Sequence, residues 1–566
     1  MTSLKIRNFY FQRFIEKIKK TKFFISKIFY NSPIYGKLNL EELTHYTDIV
    51  LPNLWEDDIE KIKNFLKWKV PNNKKTNDPF FFYFHSFDFL NGIQGLGREN
   101  LRIYGRELTK NWIQKNRSWR SKTWEDFILA SRLCNWIKNY NFFFHTSDNN
   151  FKKEILTLIL KQMEHLVKNF SNLERNSDLI RIIKALIYSS ICIPNKNYYY
   201  QIAIFNLKSE LNKQILKDGC HFQRNPKIHI QVLMDLLDIR VILNSTKKNI
   251  FFDLQNSINK MSIAYRFFLH KDNSLADFNG SGDINYKILK DLTSEIPKPS
   301  KNPRELIYGG FQRVDTKNTT LILDCGVPKN YAATYKAHSC TTAFELSYKK
   351  NKIIINSLPG LDEKINRTTA AHSTLTLNNT NAYKILKNEH LSRVPDKMNV
   401  KRIERYGANV IEIENYGYKN QYEAIHKRII YIDKNGIDIR GEDNIYCPME
   451  LSFDLRFYLD SKIKKLSTDC LRCAINDSGQ SVRKDFVKNF FSEYNNEEWY
   501  SQYLKNDKSL SVYKSNIKEL QDIMDDLPLN QPWRIKPKED LGITIPTAAG
   551  ETIIPKLTDK NLKKLI

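Results

Sequence analysis

No run of about 18 uninterrupted apolar residues occurs in this 566-residue chain, so no transmembrane helix is expected. The N-terminal KIRNFYFQRFIEKIKKTKFFISKIF is basic and amphipathic, but Lys and Glu break its apolar run. It does not read as a cleavable signal peptide. Residues 1–40 read instead as a basic amphipathic helix, docked on a partner or lying on a membrane surface. Cysteine has no framework here: Cys134, Cys192, Cys220, Cys325, Cys340, Cys447, Cys470 and Cys473 share no spacing pattern. The lone Cys470-x-x-Cys473 lies in β-like sequence without a second pair, which argues against a zinc ribbon or redox motif. Buried thiols in a chain that does not rely on disulfides are expected. Nucleic-acid signatures are missing too, with neither an RNP box nor paired zinc spacings. Glycine is scarce before about residue 300, which suits long helices.

What is abundant is positive charge. Lys plus Arg number 89 against 63 Asp plus Glu, a net charge of +26. A basic surface attracts nucleic acid, anionic membrane or acidic polysaccharide. The basic residues are spread along the chain, and the abundance of Lys, Asn, Ile, Tyr and Phe is equally what an AT-rich coding sequence produces. Charge alone therefore selects no partner. Hydrophobic residues at 41% and aromatics at 12% are enough for large cores and exclude a disordered chain. The length calls for two or three domains.

Two periodicities divide the chain. Up to about residue 300 the apolar spacing is three and four, in ILTLILKQMEHLVKNF (Ile155 to Phe170), DLIRIIKALIYSSICI (Asp178 to Ile193) and IHIQVLMDLLDIRVIL (Ile228 to Leu243). Polar breaks at Ser171–Asn176 and Pro194–Asn197 separate these segments, so antiparallel helix pairs are expected. KPSKNPR, Lys298 to Arg304, reads as a linker. Beyond it the period becomes two, in TLILDCG (Thr320 to Gly326), NVIEIENYGY (Asn409 to Tyr418) and IIYIDKNGIDIRG (Ile429 to Gly441). The last places Asn435-Gly436 between alternating runs, a hairpin signal. An antiparallel two-sheet sandwich follows. Within it, Phe344, Leu346 and Tyr348, then Leu375 and Leu377, predict strands with one buried face. His338 and His372 stand at their mouths, with Arg367 just ahead of His372.

The stretch from Tyr335 to Leu377, YKAHSCTTAFELSYKKNKIIINSLPG followed by INRTTAAHSTLTL, resembles the C-terminal domain of the heparinase II/III family. The pattern there is roughly H-x-H-x-D-x-x-x-F, then I/V-D-x-G, then A-H-N/S-T. Three segments of the helical half resemble the same family, in its order: PFFFYFHSFDFLNGI (Pro79 to Ile93), TWEDFILASRLCNWI (Thr123 to Ile137) and DGCHFQRNPKIHIQVLMDLLDIR (Asp218 to Arg240). The resemblance implies an α/α toroid over residues 41–300 and a β-sandwich over 305–566, an α+β multidomain chain. It also implies lyase chemistry on uronate-containing polysaccharide in a cleft between the two. Family members commonly belong to the cell envelope or periplasm; a cytoplasmic location is the alternative, and homodimerisation stays open.

β-Elimination makes three demands. The uronate carboxylate must be neutralised to stabilise an enolate-like transition state, a base must take the C5 proton, and an acid must protonate the leaving oxygen. The family supplies an Asn (often followed by His), a Tyr and a His, and some members hold zinc through two His and an Asp. Carried over, the toroid pair falls at Ser177-Asp178 with Asn176 one residue away, and the Tyr falls at Ile228, while Pro226 and His229 are kept. Lys336 stands where the catalytic His would be, and Cys340 where an Asp would be. His338 and His372 match two zinc ligands, with Asn356 in place of the acidic one, a poorer ligand. The catalytic candidates are therefore His338, His229, Arg367 and Lys336; the substrate-binding candidates are His221, Arg224, Asn225, Asn176 and Tyr335. Zinc is not required, and any held by His338 and His372 would be weak. Each residue has a plainer reading: His229 as a core hydrogen-bonding residue, Arg367 paired with a local acid, His426 packed against its neighbours. The substitutions keep a second function in view, a non-catalytic carbohydrate-binding or envelope-assembly protein that retains the lyase fold. A nucleic-acid partner is not expected.

Overall fold

The structure, a computed structural model, describes residues 54–55, 59–68, 80–119, 122–170, 176–282, 284–297, 302–357 and 362–460, with short strands at Lys464–Lys465, Trp533–Pro537 and Gly542–Thr544. The helix assigned to residues 1–40, most of the Ser171–Asn176 break, part of the Lys298–Arg304 linker and the Cys470/Cys473 pair lie outside the described residues.

Two compact units form. One holds the chain up to Ile215 with Ile230–Ser262 and Asn285–Lys298; the other holds Leu216–His229, Ile263–Ile284 and the chain from Pro299. The first unit is helical, and the three segments with helical spacing fall in helices Asn149–Asn169, Asp178–Cys192 and Pro226–Ser245. Helices Asp126–Lys138 and Asp178–Cys192 are buried almost all round, as apolar residues on every face require. Edge-on rings join Phe87, Trp112 and Trp136, with centroids 5.1–5.8 Å apart. The Arg132 guanidinium lies 4.5 Å over Trp112, fully buried with no carboxylate partner among the described residues. It is held by the carbonyls of His85 and Thr123 and by the Gln162 amide oxygen, each at 2.9 Å. Charge is also buried at Asp235, which Arg181 meets at 2.7 Å and Lys184 at 2.9 Å; Lys184 also bonds Asp238, and Trp55 Nε1 donates to Asp238 at 2.9 Å.

In the second unit a six-stranded antiparallel sheet runs, in spatial order, Glu305–Leu306, Phe311–Asp315, Thr319–Asp324, Phe344–Tyr348, Asn351–Ile355 and Tyr458–Leu459. The second sheet contains Asn399–Arg405, Ala408–Asn415, Ile425–Ile432 and Ile439–Tyr446, extended by the three short strands. Leu321, Leu323, Phe344 and Leu346 of one sheet share a core with Ile411, Ile413, Ile430 and Ile432 of the other, a sandwich as the period-two runs predict. The Asn435-Gly436 hairpin forms with Ile432 opposite Ile439, and Asp433 Oδ1 accepts from the N–H groups of Ile437 and Asp438. The six described cysteines are free, and five of them are buried.

One expectation fails. Alternation predicts a single buried face for Phe344–Tyr348, yet all five residues are buried, Glu345 and Ser347 included. The second face is covered by Ile263–Ile284 of the same unit: Phe268 and Phe278 pack on Phe311, and Arg313 donates to the Phe267 and Leu269 carbonyls. A polar residue in alternation marks a face that needs polar partners, and here those partners are protein. Glu345 meets His270 at 2.8 Å and Lys352 at 3.1 Å, and the Asp277 N–H donates to it at 3.0 Å. Burial alone would raise the Glu345 carboxyl; Lys352 and the His270 hydrogen bond reverse this and bring it from 4.5 to about 2.

A depressed folded-state carboxyl stabilises the protein fully above about pH 4.5, and that contribution is lost as pH falls toward 2. Glu345→Gln, by leaving Lys352 and His270 without their acid, is expected to cost about 3–5 kcal/mol in denaturant unfolding at neutral pH. It should also flatten the decline of the melting temperature between pH 4.5 and 2. A variant as stable as the parent would refute the account.

Candidate functional site

The loop from Ala332 to Ala343 and the turn Thr369–Ala371 carry the two family histidines to one place. His338 lies ahead of strand Phe344–Tyr348, and His372 directly follows the turn, ahead of strand Leu375–Leu377. Ser339 fastens the two segments, donating its N–H to the Arg367 carbonyl at 3.0 Å and sharing a hydroxyl bond with Thr369 at 2.8 Å.

His338 Nδ1 and His372 Nε2 are 3.1 Å apart, and both rings are buried. The hydrogen positions follow from the neighbours. Asn356 Nδ2 donates to the Asp277 carbonyl at 2.7 Å, so its Oδ1 faces His372 Nδ1 at 3.2 Å and can only accept. His372 therefore carries its proton on Nδ1 and accepts at Nε2 from His338 Nδ1–H. The other nitrogen of His338 lies against Gly280, where an added Cβ would stand 2.5 Å from Nε2; the glycine also has φ +74°. Burial first, then His372 and Arg367, hold the His338 imidazole well below its ordinary value, and burial takes His372 down to about 3. The pair is thus a neutral hydrogen-bonded relay.

The donors present can be set against what zinc requires. Asn356 engages the nitrogen of His372 opposite the one that meets His338, so it does not complete a three-donor set around the facing nitrogens. No group of three His, Cys, Asp or Glu suited to a metal occurs among the described residues. The residues fit zinc poorly.

The remaining candidates separate. Arg367 spends Nε and Nη2 on the Ala337 carbonyl, at 3.2 and 3.1 Å, and Nη2 also reaches the Glu389 carbonyl at 2.7 Å. Lys336 is exposed, at φ +54°, with its ammonium 3.1 Å from Glu363. Half-exposed Tyr335 adjoins His390, which stacks on Tyr331 at 3.9 Å. Arg224 is buried, at φ +58°, ion-paired with Asp324 and donating to the Gly309 carbonyl at 2.6 Å. Gly310 and Gly326 pass so closely that a Cβ on Gly310 would meet Gly326 Cα at 2.4 Å. Asn225 caps helix Pro226–Ser245 through Ile228 N–H at 3.0 Å, and its amide donates to the Asn279 carbonyl at 2.7 Å. His229 Nδ1 accepts from the His221 N–H at 3.3 Å; burial and then His229 push His221 down to about 3.

His338, His372, Asn356 and Arg367 thus lie together, and Arg224, Asn225, His221 and His229 form a second group. Asn279 joins the two: its Oδ1 accepts from the His338 N–H at 3.2 Å, and its amide donates to the Arg224 carbonyl at 3.0 Å. Asn176 belongs to the other unit, where its Oδ1 caps Asp178 N–H at 3.0 Å and Gln214 donates to its carbonyl. Nearby Asp126 is raised to about 7 by burial, then by Glu125 and Asp178. His426 meets Asp443 at 2.6 Å beside Arg428, inside the sandwich. Sequence reasoning missed Asp277, Asn279, Asp324 and Glu345. Only Asn279-Gly280, in ADFNGSG, carried a local signal, that of a turn.

The comparisons agree with this architecture. Residues 103–298 match the heparinase II/III N-terminus and residues 298–513 the heparinase II/III-like C-terminal domain. The chain belongs to the heparinase II/III-like family, with an α/α toroid followed by an antiparallel β-sandwich. Among solved structures it is similar to a crystal structure of heparinase III (17% identity, TM-score 0.55, 75% of this chain and 76% of that one). It is also similar to a second heparinase III gene product (16% identity, TM-score 0.51, the same coverage). Among curated proteins it is similar to FtsZ-localized protein C of Caulobacter vibrioides (strain NA1000 / CB15N), 22% identical over 375 residues; the match spans 64% of this chain and 64% of that protein.

If Arg224 acts through Asp324 rather than on a ligand, Arg224→Ala is expected to cost about 3–5 kcal/mol of stability by stranding a buried carboxylate. Unchanged unfolding with weakened ligand binding would restore the substrate-binding assignment.

Proposed function

We propose that the protein binds acidic, uronate-containing polysaccharide without cleaving it. The observation that carries this reading is the closed His338–His372–Asn356 relay, in which both rings are buried and bonded to protein. Elimination needs a base, an acid and a carboxylate clamp, each with an atom open to substrate. His338 Nδ1 is engaged and Nε2 is walled by Gly280. Lys336 is exposed and paired with Glu363, and Ile228 has no proton to exchange. Arg367 and Arg224 hold protein groups.

Binding is supported by the family's association with polysaccharide, by the net charge of +26, and by the accessible Tyr335 and Lys336 in the loop that precedes His338. No helix among the described residues is long and apolar enough to cross a membrane. A cell-envelope setting is in keeping with the family; a cytoplasmic one is the alternative. The site works without a metal.

Incubation with a panel of uronate polysaccharides is expected to give binding that weakens with salt and no absorbance from unsaturated product. Accumulating product would establish the lyase instead, and salt-independent affinity would remove the electrostatic part of the reading. Elemental analysis should find well under one zinc per chain; about one tightly held zinc would contradict the metal-free site.

A further inference from the structure

A groove of about 640 Å³ lies wholly within the helical unit, between helices Glu99–Asn116 and Asn149–Asn169. Lys110 and Gln114 line it from the first helix, with Arg117 at its C-cap three residues on, and Lys153, Thr157 and Lys161 line it from the second at four-residue steps. Each set therefore forms one ridge, and Lys153 and Lys161 stand roughly 12 Å apart along the axis.

Four cations face two carboxylates here, and among the described residues Lys110 is the one with acid partners, Glu107 at 3.3 Å and Asp148 at 4.0 Å. Asp148 caps the Phe151 N–H at 2.9 Å and sits 4.0 Å from Lys110. Among the described residues Arg117, Lys153 and Lys161 have no acid within ion-pair distance, and Glu154 is paired with none of them. Lys161 is half-buried, and its pKa is lowered mainly by burial and secondarily by repulsion from the Arg117 charge. An anion seated between the ridges would relieve that repulsion.

We propose that this groove is a second binding site for a linear acidic polysaccharide, engaged through Arg117, Lys153 and Lys161. The ligand class rests on the proposed function, but the site does not. Cations spread over two helical turns suit a chain with repeated anionic groups better than a single small anion. The Gln114 and Asn150 amides and the Thr157 hydroxyl offer hydrogen bonds to sugar hydroxyls. A single-stranded nucleic acid would need exposed rings on which to stack its bases. Phe151, the aromatic residue of the lining, is buried and covered by the Lys110 ammonium at 5.2 Å.

The test is photo-cross-linking of an acidic oligosaccharide to the full chain, with peptides mapped, alongside titration calorimetry at low and high salt. Cross-links are expected on both groove helices and near Lys336. Arg117→Glu with Lys153→Glu, both exposed and checked by circular dichroism, should abolish the groove cross-links and keep those near Lys336. The double variant should lower groove affinity about tenfold and flatten its salt dependence. Cross-links near Lys336 alone, or an unaltered pattern in the variant, overturn this site and leave the proposed function standing. No binding by the parent chain overturns both. Equal competition by single-stranded DNA of matched charge overturns the ligand class.

Discussion

Burying the Glu345 carboxylate on the second face of an internal strand obliges its surroundings to supply donors, and the sandwich unit is arranged around that obligation. Its oxygens take His270, Lys352 and the Asp277 and Asn356 N–H groups. Asn356, placed in this way, turns its amide oxygen to His372, which accepts from His338, whose backbone N–H meets Asn279. Asn279 in turn holds the Arg224 carbonyl, and Arg224 neutralises Asp324. Each link satisfies a buried polar group that would otherwise cost about 1–3 kcal/mol. The line is continuous, so it behaves as a network rather than as separate contacts.

This explains how a lyase fold can persist when residues of the lyase pattern have changed. Where the pattern has a catalytic histidine the chain has Lys336, and where it has a tyrosine the chain has Ile228. Both are at least partly exposed, and substitution there leaves the network untouched. His338 and His372, by contrast, are members of the network, and their retention needs no catalytic reason. Burial alone does not sort the pattern's polar positions: His338 and His372 match and are buried, yet Cys340 and Asn356, which replace acidic residues of the pattern, are buried too.

Much of this was legible in advance and some of it was not. Spacings of three and four identified the helices around Ile155, Asp178 and Ile228, because the buried stripe of a helix is a local property. Alternation located strands Thr319–Asp324 and Ala408–Asn415 for the same reason. Alternation could not show that Glu345 and Ser347 face protein, since a polar residue looks the same opposite water or opposite His270. The His338–His372 pair, 34 residues apart, was legible through the family pattern alone. Arg224 shows another limit: a basic residue in a site motif suggests a ligand, and its ion-pair partner in the fold, Asp324, lies 100 residues on. Asn225, directly ahead of Pro226 and a helical run, could have been read as a cap from sequence.

The aromatic packing of the helical unit has a practical corollary. Six of the eight tryptophans, Trp55 to Trp136, fall in the helical unit, and the other two, Trp499 and Trp533, come late in the chain. Trp112, Trp124 and Trp136 are sealed from solvent, and Trp112 lies under a guanidinium. Intrinsic fluorescence is therefore weighted toward one half of the molecule, whereas the amide circular dichroism of the strands is weighted toward the other. Superimposable traces from the two signals during denaturation would mean that the halves melt as one cooperative body, and divergent traces would time each half separately.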